Sequence, residues 1–284
     1  MRQVIEQLQA RPSSDGDGVK LLRVFGGAMP ERFDPFLLMD EFGSESAEDY
    51  IGGFPSHPHR GFSTITYMLQ GKMEHRDHMG NIGLLNDGDV QWMTAGKGVI
   101  HSEMPKQSEG KMRGFQVWLN LPSKNKLQKA NYEDVPHQAL PKIALANEAI
   151  TGKAIAGKVH IDGEYVEGYF DVAETEAIYL DLYLGANTEA RIDIPDGHRA
   201  LVYSYEGMVE IGQNKVKNPM QTLSVLSDEG SLALKNPSDK LAKIILLAGK
   251  PLKESIAQYG PFVMNTMEEV NQAILDYREG VLTD

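Results

Sequence analysis

His57 and His59 stand two residues apart in FPSHPHRGFSTITY, at the entry to a run that alternates like a β-strand. Side chains i and i+2 of a strand share one face, so the two imidazoles can converge on a single point, as metal ligands do. Further along, in QWMTAGKGVIHSEMP, His101 and Glu103 repeat the spacing in another strand-like context. Two such pairs on neighbouring antiparallel strands would offer one ion three imidazoles and a carboxylate. That mixed nitrogen and oxygen set suits Fe(II), Mn, Co, Ni or Zn. An octahedral ion with four protein ligands keeps two positions open for water, dioxygen or substrate, which favours catalysis or sensing over a structural role. An HxH alone is weak, and packing explains it more often than metal does. The second pair reverses that balance, because three histidines and a carboxylate buried together without a cation would pay a heavy desolvation cost.

The elements that must hold these residues are short. KLLRVFGG, STITYMLQG, NIGLLNDGD, FQVWLNLP, AIYLDLYLG, EARIDIPDG, ALVYSYEG and LAKIILLAG are brief apolar or alternating runs separated by Gly, Asp, Asn and Pro, the pattern of an all-β sandwich or barrel. One helix is expected near the end, in NTMEEVNQAILDYREG. Thr266 and Glu269 form a capping box, Val270, Ala273, Ile274 and Tyr277 fall on one face, and Gly280 suits the C-terminal cap. The proline-rich, charged stretch from 122 to 142 reads as a connection between two domains. YMLQGKMEH from Tyr67 and YSYEGMVEI from Tyr203 share Tyr, Gly and Glu in register, as if one hairpin were used twice. Continued upstream without gaps, that register sets Asp193 and Pro195 where His57 and His59 stand, so the second copy would lack a metal site.

The remaining polar residues read less sharply. In EHRDHMGNIG, His75 and Asp77 share a face opposite His78; the hairpin reads as solvated surface, with a partner orienting a ligand imidazole as the alternative. His137, His160 and His198 read as ordinary surface or satisfied residues. Gln116, Trp118 and Asn120 alternate onto one face, to line a cavity above the metal or a packed interior. Trp92 and Met93 read as core, and GKG at 96–98 lacks the rest of a phosphate-binding loop.

Composition narrows the partners. A net charge of −12 opposes a phosphate-binding surface, so nucleic acid is discounted as a direct ligand. No cysteine is present, which removes thiolate sites, Cys nucleophiles and disulfides. No run of apolar residues is long enough for a membrane span and the N-terminus lacks a signal-like stretch, so a cytoplasmic protein is expected.

With these residues placed, the chain resembles the pirins, two-barrel members of the cupin superfamily. DPFLLMDEFG, GGFPSHPHRGF, GNIGLLNDGDVQWMTAGKGVIHSEMP, QVWLNLP and GPFVMNTMEEVNQAILDYREG carry the resemblance, in order and over nearly the whole chain. The expected fold is therefore all-β: a bicupin of two antiparallel, jelly-roll-like β-barrels with a C-terminal packing helix. Residues 1–130 would form the metal-binding barrel, and 131–284 a second barrel without metal plus the helix. The resemblance implies one divalent metal, usually iron, on His57, His59, His101 and Glu103. Fe(II) is the first expectation, with Mn, Co, Ni, Cu or Zn as alternatives. Pirins commonly read RGFET where this chain has RGFST, so Ser63 replaces a glutamate that is a metal ligand or base in many cupins.

Two functions follow from the resemblance. Several bacterial pirin-like proteins are similar to quercetin 2,3-dioxygenase, which opens the central ring of a flavonol with dioxygen and releases carbon monoxide. A small aromatic substrate, O2, and Glu103 as base as well as ligand would then be required. The alternative is an iron-binding redox-sensing regulator that modulates a transcription factor or metabolic enzyme through protein contact.

Overall fold

The computed structural model describes residues 1–27 and 29–284. Antiparallel strands dominate, with short 3-10 turns and, among the described residues, one α-helix, Met267–Glu279. Runs rich in β-branched and aromatic residues, such as Ile178–Leu184, become strands because their side chains pack well on a pleated surface. Between Ile82–Leu85 and Val90–Thr94 the turn is set by Asp89, whose Oδ2 accepts the Asn86 N–H at 2.8 Å.

The chain folds as two compact units. The histidine-bearing unit comprises Arg11–His137 and Leu252–Asp284, and the second unit Met1–Ala10 and Gln138–Pro251. Three sets of contacts set these bounds. Val4–Gln9 pairs with Thr222–Leu226, Asn131–Val135 extends the histidine-bearing sheet by pairing with Val90–Thr94, and the C-terminal helix packs on Phe262 and Met264. Pairing and burial, which are non-local, fix a boundary that composition alone places at the proline-rich stretch.

Each unit contains a seven-stranded sheet and a smaller one, of four strands in the histidine-bearing unit and six in the second. None of these strand orders closes on itself, and each unit pairs one larger open sheet with one smaller. The histidine-bearing unit adds a hairpin, Ala257–Tyr259 with Phe262–Met264. The expected capping box is present at the helix: Thr266 Oγ1 accepts the Glu269 N–H at 3.2 Å, and the Thr266 N–H donates to Glu269 Oε2 at 3.0 Å. Val270 and Ala273 are buried and Ile274 partly so, but Tyr277 of the expected face is exposed.

The internal echo extends to topology. Phe62–Gln70 lies between Val90–Thr94 and Met112–Asn120, and Arg199–Glu206 lies likewise between Thr222–Leu226 and Ala242–Gly249. The gapless register fails one step upstream, however. Arg60–Gly61 joins the strands of one unit, whereas the longer Ile194–His198 joins those of the other. Asp193 and Pro195 consequently face outward, and the inward positions of that strand are the buried Ala190 and Ile192. They belong to an apolar cluster, with Leu180, Val202, Leu232, Leu234 and Leu246, that fills the space between the second unit's sheets.

Candidate metal centre

His57 and His59 lie on Phe54–His59, the edge strand of the four-stranded sheet, where Pro55 and Pro58 cost no central ladder bond. Its neighbour Val99–Pro105 sets His101 opposite His57 and Val99 opposite His59. The register then shifts, so that Glu103 pairs with Phe54. Such a bulge re-aims the side chains beside it.

The imidazoles of His57, His59 and His101 converge. Their ring centroids are 4.4–4.9 Å apart, and one nitrogen of each lies within 4.8 Å of the others. Each ring also turns its Nδ1 to an outer partner: Pro55 O for His57 at 2.8 Å, Pro261 O for His59 at 3.4 Å, and His75 Nδ1 for His101 at 3.4 Å. Donation from Nδ1 leaves Nε2 as the lone-pair nitrogen. The Nε2 atoms of His57 and His59 are 3.1 Å apart, and that of His101 is buried with no hydrogen-bond partner. An inward set of three imidazole acceptors, one of them orphaned, fits a cation.

Burial first, and then the neighbouring imidazoles, hold His59 and His101 well below the ordinary value of 6.5. Between that value and the lowered folded ones the unfolded chain binds more protons, so stability rises with pH there and is lost as pH falls through the window. Urea unfolding of chelator-treated protein should therefore show a midpoint that is steady above 6.5 and declines below it. A profile flat to roughly pH 5 would contradict the assignment of neutral buried imidazoles.

Glu103 is buried and lines the same cavity as His57 and His59, but its carboxylate stands outside the three-histidine group. Thr66 explains its position. The Thr66 hydroxyl lies 3.0 Å from Glu103 Oε1 and 2.7 Å from the amide terminus of Gln116. The cavity, about 740 Å³, is walled by the apolar Leu21, Leu38, Phe42, Phe54, Met73 and Trp118 and reached by Arg23, Asp40, Gln116 and Gln258. Gln116 and Trp118 thus line it as one expected face, whereas Asn120 is buried and its Oδ1 accepts from Lys126 Nζ at 2.6 Å. Ser63 points to the opposite side of its strand from Thr66, where its Oγ lies 3.0 Å from that of Thr94. Its departure from the RGFET pattern therefore changes a residue remote from the imidazoles.

Two cations that sequence reasoning passed over fix the loop after His59. Arg60 donates to Lys97 O, to Asp276 Oδ2 at 2.6 Å and to Leu282 O at 3.0 Å, tying the loop to the helix and the C-terminus. Lys126, fully buried, donates to Gly61 O at 2.8 Å and Val263 O at 3.0 Å, and burial lowers its ammonium to about 8. An isolated Arg and an isolated Lys have no spacing that would announce these roles. His75 is likewise buried against His101 and Tyr132 rather than solvated. Its strand lies beside Val99–Pro105, where His75 pairs with Glu103, and only that pairing brings it to the site.

Known proteins resemble this chain over most of its length. Residues 18–119 match the pirin family, and 179–283 match the pirin C-terminal cupin domain. A Pseudomonas aeruginosa protein provisionally named a quercetin 2,3-dioxygenase is 52% identical over 99% of this chain and 98% of its own length. Human pirin is 37% identical over 98% of this chain and 92% of its own. The crystal structure of a quercetin 2,3-dioxygenase from Acinetobacter baumannii superposes with a TM-score of 0.89 at 33% identity, covering 99% and 98% of the two chains.

Proposed function

The chain belongs to the pirin family, and on that premise we propose that it is a metal-dependent dioxygenase of flavonol-type, quercetin-like substrates. Its ion, Fe(II) in this reading, would be held by His57, His59, His101 and Glu103. The observation that carries the reading is the convergence of three imidazole nitrogens beside a cavity of about 740 Å³ with apolar and aromatic walls.

A divalent ion at this place would supply Lewis-acid charge for an enol oxygen and open positions for substrate and dioxygen. The chain's own residues do the rest. Glu103 receives the proton of the substrate hydroxyl, its Oε1 steadied by Thr66 so that the other oxygen can turn to the substrate. His59 and His101 are kept neutral by burial, as a ligand nitrogen requires, and all three rings turn Nδ1 to an outer partner. Phe42, Phe54 and Trp118 exclude water from the reacting ring. A regulator that used only the ion's oxidation state would have no need of a cavity large enough for a small aromatic molecule. A cytoplasmic location is part of this proposal. Among the described residues no helix is long and apolar enough to cross a membrane.

The test is oxygen consumption by iron-loaded protein on adding quercetin, beside a His59→Ala variant. Uptake with carbon monoxide release in the wild type, and none above background in the variant, is expected. Absence of uptake from protein with its full complement of iron would contradict the proposal and turn attention to the regulator.

A further inference from the structure

The floor of the cavity is crossed by a polar row. Strand register sets Arg23 opposite Asp40, Asp40 opposite Gln116, Gln116 opposite Thr66, and Thr66 opposite Gln91. Asp40, Thr66 and Gln91 are buried, and Arg23, Asp40 and Gln116 reach the cavity. Leu21 pairs with Phe42 on one side of the row and Leu38 with Trp118 on the other, so the stripe is one residue wide. The second unit shows what the same sheet does without a cavity. There Ala154, Leu180, Leu246, Val202 and Ser224 form the equivalent row, apolar but for its last member. The topology therefore does not require polarity at these positions, and burying it costs free energy unless the groups are hydrogen-bonded, as these are to one another and to Glu103 and Asp134.

The row sets an acceptor, Asp40, beside donors. Arg23 spends Nε and Nη2 on the two carboxylate oxygens of Asp40, at 2.9 and 2.7 Å. The Thr66 hydroxyl has one proton for two neighbours. Gln116 turns its Oε1 to that hydroxyl at 2.7 Å, which leaves its amide N–H groups for the cavity. Gln258 lines the same cavity, and its Oε1 is buried with no hydrogen-bond partner.

We propose that Asp40, Gln116 and Gln258, which line one cavity, form a specificity subsite that takes hydroxyl groups on an uncharged part of the substrate and rejects carboxylates. This rests on the reading of the cavity as the site of a small aromatic substrate. A hydroxyl donates to Asp40 Oδ or to Gln258 Oε1 and accepts from the Gln116 amide, whereas an arriving carboxylate meets the Asp40 carboxylate with Asp15 and Asp17 on the same lining. Replacing Asp40 by asparagine releases the guanidinium and inverts the preference.

The experiment is equilibrium binding to anaerobic, metal-loaded protein, read by tryptophan fluorescence, with four probes. Quercetin is compared with 3-hydroxyflavone, which lacks the remote hydroxyls, and 2-naphthol with 2-naphthoate, which owe nothing to flavonol chemistry. Quercetin and 2-naphthol are each expected to bind about tenfold more tightly than their counterparts, the worth of one charge-assisted hydrogen bond. Asp40→Asn should bind 2-naphthoate over 2-naphthol, and Gln116→Leu should bring quercetin and 3-hydroxyflavone within about threefold of each other. Should Asp40→Asn fail to fold, Gln116→Leu carries the test. Unchanged preferences in the folded variants, or binding of none of the four probes, would overturn the subsite. Binding of the naphthols alone, with the expected inversion, would uphold the subsite while removing flavonols as its substrates.

Discussion

Replacing His101 by alanine is expected to abolish metal retention and, with it, oxygen uptake. His101 stands between the other two imidazoles and His75, with its Nε2 buried and unpartnered. Alanine removes one of three converging nitrogens and leaves a gap that His57 and His59, held by Pro55 O and Pro261 O, are not free to close. Loss of one outer partner of a ligand typically costs ten- to a hundredfold in affinity, so loss of the ligand itself should exceed about a hundredfold. Metal analysis after dialysis should find bound ion in the wild type and background in the variant. A variant that keeps its full complement would place the ion elsewhere.

The second large effect is structural and reaches the site through the loop after His59. Gly61 has φ +91, and a Cβ there would collide with the Val263 carbonyl oxygen, which already accepts from Lys126. Gly61→Ala must therefore both strain a left-handed residue and push the 262–264 strand away from Arg60, whose carbonyl accepts the Val263 N–H at 3.0 Å. The cost should be about 3 kcal/mol, at the upper end for a single backbone strain because the contact is lost as well. Urea unfolding measures it. The same change should weaken metal binding, since Pro261 O, the outer partner of His59, moves with the hairpin. Stability within about 0.5 kcal/mol of wild type would show that the loop tolerates a side chain.

Period-two spacing was enough to find His57, His59 and His101, because strands translate sequence parity directly into a shared face. The same rule puts Glu103 on the face of His101, but parity says nothing of the bulge between them in register, nor of the Thr66 hydroxyl that holds the carboxylate outside the histidine group. The capping box and Gly280 located the helix, since both signals are local, whereas its docking on the histidine-bearing unit depends on contacts distant in sequence. His75 read as surface because it lies near a turn; its burial follows from strand pairing with Glu103. The gapless comparison of the two halves failed where one connecting loop is longer, a change that leaves both strands intact but exchanges their faces. Arg60 and Lys126 had no pattern at all, since a buried cation is recognised by the carbonyls around it and those come from distant segments.

The metal centre is tested most directly by X-ray absorption at the iron edge of the reconstituted protein. A first shell fitted by three imidazole nitrogens with the multiple scattering of their rings, together with carboxylate oxygen, is the expected result, and one imidazole should vanish in His101→Ala. A shell of oxygen alone, or one unchanged by that substitution, would contradict a centre built on His57, His59 and His101.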